Sequence, residues 1–184
     1  MKRWKKRCLI AVGTLLLLVL VLFGIRMIAG SEQVSDDTGF YEEIRQEYEM
    51  LPPVSELEKN GQVRFQYYKK RDLFFISESY TMQVQYAQED FQSRVEQLEN
   101  QFVFQQEPLE DGKAPKFSMD GISFRMLSME HYEMMYPHQM VFVGVSEETR
   151  EVIYIAFYDA DLDLIDTPFP EFLRETCGWN KFIK

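Results

Sequence analysis

Phe117-Ser118-Met119-Asp120-Gly121-Ile122-Ser123-Phe124 is the stretch that decides the fold of this chain. Apolar and polar residues alternate on both sides of Asp120-Gly121, a dipeptide suited to a two-residue type I′ turn. Such a turn pairs Met119 with Ile122 and Phe117 with Phe124 on one face of a hairpin. A second hairpin follows, with Gln139–Val145 and Glu151–Tyr158 flanking the polar Ser146–Arg150. Its residues Ile153, Ile155 and Phe157 are expected to face inward.

The same alternation extends upstream. Val63, Phe65 and Tyr67 oppose Arg64 and Gln66, while Tyr80, Met82, Val84 and Tyr86 oppose Thr81, Gln83 and Gln85. Both stretches read as half-buried strands, and Leu73–Ile76 reads as a third. The period then changes. Phe91, Val95, Leu98 and Phe102 fall on one helical face across Glu89–Gln101. Tyr41, Ile44, Tyr48 and Leu51 do the same across Phe40–Leu51, which Pro52-Pro53 terminates. Pro108, Gly112 and Pro115 mark residues 105–116 as a loop. Thr167 is placed to cap a last helix that begins at Pro168 and ends at Gly178.

Short links between successive strands imply antiparallel pairing. The expected fold class is therefore α+β, a mainly antiparallel sheet with helices packed on one face.

The N-terminus is of another kind. Lys2, Arg3, Lys5, Lys6 and Arg7 precede Leu9–Ile25, seventeen residues without a charge. As a helix, Leu9–Ala29 would cover roughly 31 Å, one hydrocarbon thickness. The basic flank places the N-terminus in the cytoplasm, and Arg26 is close enough to the far end to snorkel. The expected organisation is a basic stub at 1–8, a transmembrane helix at 9–29, a polar linker at 30–39 and an extracytoplasmic domain at 40–184. The competing organisation is a secreted protein released by cleavage after Ala29-Gly30-Ser31, whose small residues suit a signal-peptide site.

Charge follows the same division. Residues 31–184 hold 14 Lys and Arg against 30 Asp and Glu, a formal charge of −16. That field argues against nucleic acid and anionic lipid as general partners and favours a cationic protein or peptide. Cys8 and Cys177 fall on opposite sides of the expected span and so cannot bridge within one chain. None of Asn60, Asn100 or Asn180 begins a glycosylation acceptor. Both observations point to a bacterial cell membrane.

Three clusters invite chemical readings. Asp159, Asp161 and Asp163 open like a calcium loop, but Leu164 stands where such a loop needs glycine and Pro170 where it needs a bidentate Glu. His131, Met134 and His138 gather the imidazoles and a thioether that suit copper, without a fixed ligand spacing. Cys177 follows Leu173-Arg-Glu-Thr176 and resembles the Leu-x-Thr-Cys end of the sortase signature. It departs from that signature in having its leucine one residue too far away and only seven residues after the cysteine. No catalytic residue, cofactor or committed metal site is expected.

Val141-Phe-Val-Gly-Val-Ser-Glu-Glu148 together with Ile153-Tyr-Ile-Ala-Phe-Tyr-Asp-Ala-Asp-Leu-Asp163 resembles uncharacterised small membrane-anchored proteins of Gram-positive bacteria. The resemblance covers the C-terminal hairpin and implies a compartment rather than an activity. The expected function is a non-enzymatic binding or accessory role, with a protein or ligand partner, for a membrane-anchored domain outside the cytoplasm. The alternatives are an extracytoplasmic calcium- or copper-binding protein, and a cell-envelope hydrolase without a recognisable motif.

Overall fold

Both hairpins form as their turns require. Asp120 and Gly121 take φ of 52° and 78°, the paired positive values of a type I′ turn. Met119 then pairs with Ile122 and Phe117 with Phe124. The computed structural model describes residues 12–24, 30–46, 51–59, 61–72, 75–132, 135–159 and 166–183.

In chain order the elements are α1 (12–24), β1 (Ser31–Ser35), α2 (Thr38–Arg45), α3 (Val54–Leu57), β2 (Gly61–Asp72) and β3 (Phe75–Tyr86). There follow α4 (Gln88–Gln101), β4 (Lys116–Met119), β5 (Ile122–Met126), α5 (Met129–Tyr132), β6 (Gln139–Ser146), β7 (Glu151–Asp159), α6 (Phe169–Glu175) and α7 (Trp179–Phe182). The strands make one seven-stranded antiparallel sheet in the order β1-β2-β3-β7-β6-β5-β4. The α+β class is therefore as expected.

The helices, however, cover both faces. On one face α2, α3 and α4 pack Tyr41, Leu57, Phe91 and Leu98 against Phe65, Met82, Val84, Tyr154 and Ala156. On the other, α6 and α7 pack Phe169, Phe172, Leu173 and Trp179 against Phe124, Phe142, Ile153, Ile155 and Phe157. The expectation of helices on one face is thus corrected. The cause lies in β7, where Val152-Ile-Tyr-Ile-Ala-Phe157 is apolar at every position and is buried on both sides. An unbroken apolar run needs two covers, where strict alternation needs one. On β2 and β3 the alternation does hold, with Tyr80, Met82, Val84 and Tyr86 all in the first core.

Residues 30–39 also differ from the linker expected of them. Ser31–Ser35 add β1 to the sheet edge, opposite Tyr67–Arg71. Asp37 then caps α2 by accepting the Gly39 N–H at 2.8 Å. Phe75–Tyr86 is a single long strand rather than two, so Ile76 and Tyr80 share β3. At the C-terminal helix, Pro168 takes the cap position and Thr167 does not.

The described part of α1 is apolar and exposed all round, from Val12 at 64% to Phe23 at 63%. Among the described residues no helix is long and apolar enough to cross a membrane. The rest of the expected span, 9–11 and 25–29, lies outside the described residues.

Candidate functional site

β1 covers only half of the strand beside it. Its five residues pair with Tyr67–Arg71. Gly61–Gln66 of β2 pair with β3 on one side and with no strand of the described residues on the other. Which backbone groups face the open side follows from the hydrogen-bond alternation. The Tyr86 N–H donates to the Arg150 carbonyl at 3.0 Å, away from β2. Alternation then turns Gln85, Gln83 and Thr81 toward β2, and the residues opposite them, Gln62, Arg64 and Gln66, toward β3. Gly61, Val63 and Phe65 therefore direct their N–H and C=O groups outward.

A groove of about 580 Å³ lies beside this edge. Val34, Val63 and Phe65 supply apolar lining, Asp36 and Thr38 close it from the β1–α2 link, and Arg64, Lys181 and Phe182 close it from the opposite face of the sheet. Its cations are held in place by neighbours. Arg64 Nη2 donates to the Phe182 carbonyl at 2.5 Å while the guanidinium lies 4.9 Å from the Phe182 ring centre. Lys181 pairs with Glu32, which also accepts the Tyr68 hydroxyl at 2.9 Å. The Lys181 hydrogen bond, helped by Tyr68, holds the Glu32 carboxyl below its ordinary value. On the other face of β2, Phe40 stacks on Tyr67 at 5.6 Å and Tyr67 on Tyr80 at 5.2 Å. That row of rings stiffens the edge from behind.

A smaller recess of about 230 Å³ runs between α4 and β5–β6, lined by Val95, Leu98, Phe104 and Val143. Arg125 lies 3.6 Å over the Phe104 ring and pairs with Glu99, so a cation already stands at this recess.

The residues singled out from the sequence lie only in part within the described residues. Asp159 ends β7 opposite Ser77, while Asp161 and Asp163 lie outside the described residues. His131 is exposed on α5, His138 is half-buried at the entrance to β6, and Met134 lies outside the described residues. Among the described residues no three His, Cys, Asp or Glu side chains gather to hold a metal ion. Cys177 is 1% exposed in the link between α6 and α7, and its carbonyl accepts the Ser79 hydroxyl at 2.9 Å.

The sequence does not signal the open edge, because Gly30–Gly39 has the polar composition of a linker. Ser-Glu-Gln-Val-Ser carries one apolar residue, too little to signal a strand. In comparisons with known proteins, no family model, no curated protein and no solved structure matches this chain.

Proposed function

We propose that this chain is a non-enzymatic, single-pass protein of a bacterial cell membrane, whose outer domain binds an extended segment of a partner protein along the open edge of β2. The observation that carries the binding role is the outward edge of Gly61, Val63 and Phe65, which no strand of the described residues pairs, beside the Val34–Phe182 groove. An incoming strand would satisfy those N–H and C=O groups, and apolar side chains at alternate positions would meet Val34 and Val63. The formal charge of −16 favours a segment with basic flanks, steered toward the domain over a distance set by salt.

The anchor is the span 9–29. A helix apolar on every side, as α1 is from Val12 to Phe23, suits lipid rather than water. The five cations before Leu9 support a cytoplasmic N-terminus.

Val63→Pro tests the binding edge, because proline removes an outward N–H and is tolerated at a sheet edge whose N–H faces solvent. Partners captured by the full chain from bacterial membranes at low salt are expected to be lost at least about 10-fold by this variant, with the fold retained by circular dichroism. Undiminished capture by Val63→Pro would rule out the edge as the site. Capture that is indifferent to salt would remove the electrostatic part of the proposal.

A further inference from the structure

The two faces of the open edge differ in chemistry. Arg64 and Gln66 lie on the α7 side, where they donate to the Phe182 and Gly178 carbonyls. Val63 and Phe65 lie on the other side, packed with the first core. Because Val63 and Phe65 direct their backbone groups outward, an antiparallel strand laid here meets them in hydrogen-bonded pairs. The residue opposite Arg64 then falls in a non-hydrogen-bonded pair, in which facing side chains stand closest. β1 sets the line such a strand would follow, since it already pairs antiparallel with Tyr67–Arg71.

Two charges in the groove are unmatched. Lys181 is neutralised by Glu32. Arg64 is held by the Phe182 carbonyl and ring, yet no carboxylate of the described residues pairs with it. Asp36 is exposed and lines the same groove, and no cation of the described residues pairs with it. Ser35 lies opposite Tyr67, so Asp36 follows at the level of Gln66, about 7 Å along the edge from Arg64. Asp37 beside it accepts the Gly39 N–H and adds to the negative charge at that end. The edge therefore runs from an anionic end, where β1 stops, to a held cation at Arg64.

We propose that the segment taken up by this edge reads basic, apolar, acidic, apolar from its N-terminus, with its acid opposite Arg64 and its basic residue beside Asp36. The inference rests on the edge-binding reading above and specifies which segment that edge selects. Its direction follows β1, because every pairing in the sheet is antiparallel and antiparallel pairs are the more stable. The two apolar residues fall opposite Phe65 and Val63, on the face where Phe40 stacks on Tyr67 and is 38% exposed. Reversing either charge sets like beside like, at Arg64 or at Asp36, which cross-strand pairing disfavours. The formal charge of −16 draws a basic segment to the domain, and Arg64 then admits an acid at one position in it.

Three end-blocked peptides test this on the full chain in phosphatidylcholine nanodiscs. They are Thr-Lys-Val-Glu-Val-Thr, its charge-swapped form Thr-Glu-Val-Lys-Val-Thr and the neutral Thr-Gln-Val-Gln-Val-Thr. The first is expected to bind about 10-fold more tightly than the second by titration calorimetry, and to slow hydrogen exchange at the Gly61, Val63 and Phe65 amides. The Asp36→Lys/Arg64→Glu double variant is expected to prefer the charge-swapped peptide, while unchanged exchange in β6 and β7 shows that its fold is intact. Asp36→Lys alone alters a side chain without a hydrogen bond among the described residues, and is expected to shrink the preference roughly 3-fold. Equal protection of the three amides by all the peptides overturns this inference and leaves the edge reading standing. Tighter binding of the charge-swapped peptide to the parent chain does the same. Failure of every peptide to protect those amides overturns the edge reading, and this inference with it.

Discussion

At Gly178 the chain turns with φ of +68° directly over the Tyr68 ring, and a Cβ there would stand 2.5 Å from Tyr68 Cγ. The turn between α6 and α7 is thus pressed onto β2, where Gln66 Nε2 also donates to the Gly178 carbonyl at 3.2 Å. Alanine at this position meets two costs, a left-handed backbone and an overlap with a ring that is 1% exposed. Gly178→Ala is expected to destabilise the domain by about 2–4 kcal/mol in urea unfolding. Gly121→Ala isolates the first cost, since Gly121 has φ of +78° and open space around its Cα. Its expected loss is about 1 kcal/mol. Equal losses at the two sites would show that the Tyr68 contact contributes nothing. Gly121 was legible in the sequence through its place after Asp120. Gly178 was legible only as a helix end, because its partner Tyr68 is far away in the chain.

Among the elements, two carboxylates hold the first segments of the domain together. Glu32 joins β1 to α7 through Lys181 and to β2 through Tyr68. Glu42 on α2 accepts the Val54 N–H at 2.8 Å and pairs with Arg45 at 3.0 Å, which ties α2 to α3. The Lys181 hydrogen bond lowers the first carboxyl below its ordinary 4.5, and the Val54 N–H lowers the second. Each group binds its proton less readily in the folded chain than in the unfolded one. The stability they contribute is therefore present above the ordinary value and is lost as pH falls through the lower, folded value. Melting temperature is expected to drop as pH falls below 4.5, with a shallower drop in the Glu42→Gln variant. Identical pH profiles for the variant and the parent would contradict this. The α4 helix and both hairpins were readable as elements because their periods are clean. Neither β1 nor α7 was readable, the first for its single valine and the second because Trp179–Phe182 is only one turn long.

For the whole molecule, the sheet is a shared wall between two cores. Tyr154 and Ala156 serve one core, while Ile153, Ile155 and Phe157 serve the other, and all five belong to the same strand. Neither core can lose its helices without exposing β7, so one unfolding transition is expected. Fluorescence of Trp179 reports the α6–α7 core and far-ultraviolet circular dichroism reports the sheet. In a Trp4→Phe background, their urea midpoints are expected to coincide. Separate midpoints would show that the two faces unfold independently. The fold class could be argued from short links between alternating strands, but the three-layer arrangement needed weight to be given to the unbroken run Val152–Phe157. The open edge of β2 could not be found from the sequence at all, because it depends on where β1 stops.

That short first strand also has a mechanical side. The chain enters β1 at Ser31, and β2 runs antiparallel to it, with Gly61 at the opposite end. A load that pulls Ser31 one way while the Gly61 end of β2 is held the other way draws the two strands past each other. The hydrogen bonds between Ser31–Ser35 and Tyr67–Arg71 then stretch together instead of opening one after another. Such a seam resists in shear, so a tug between Ser31 and the Gly61 end of β2 is shared across all five residue pairs before the domain begins to part.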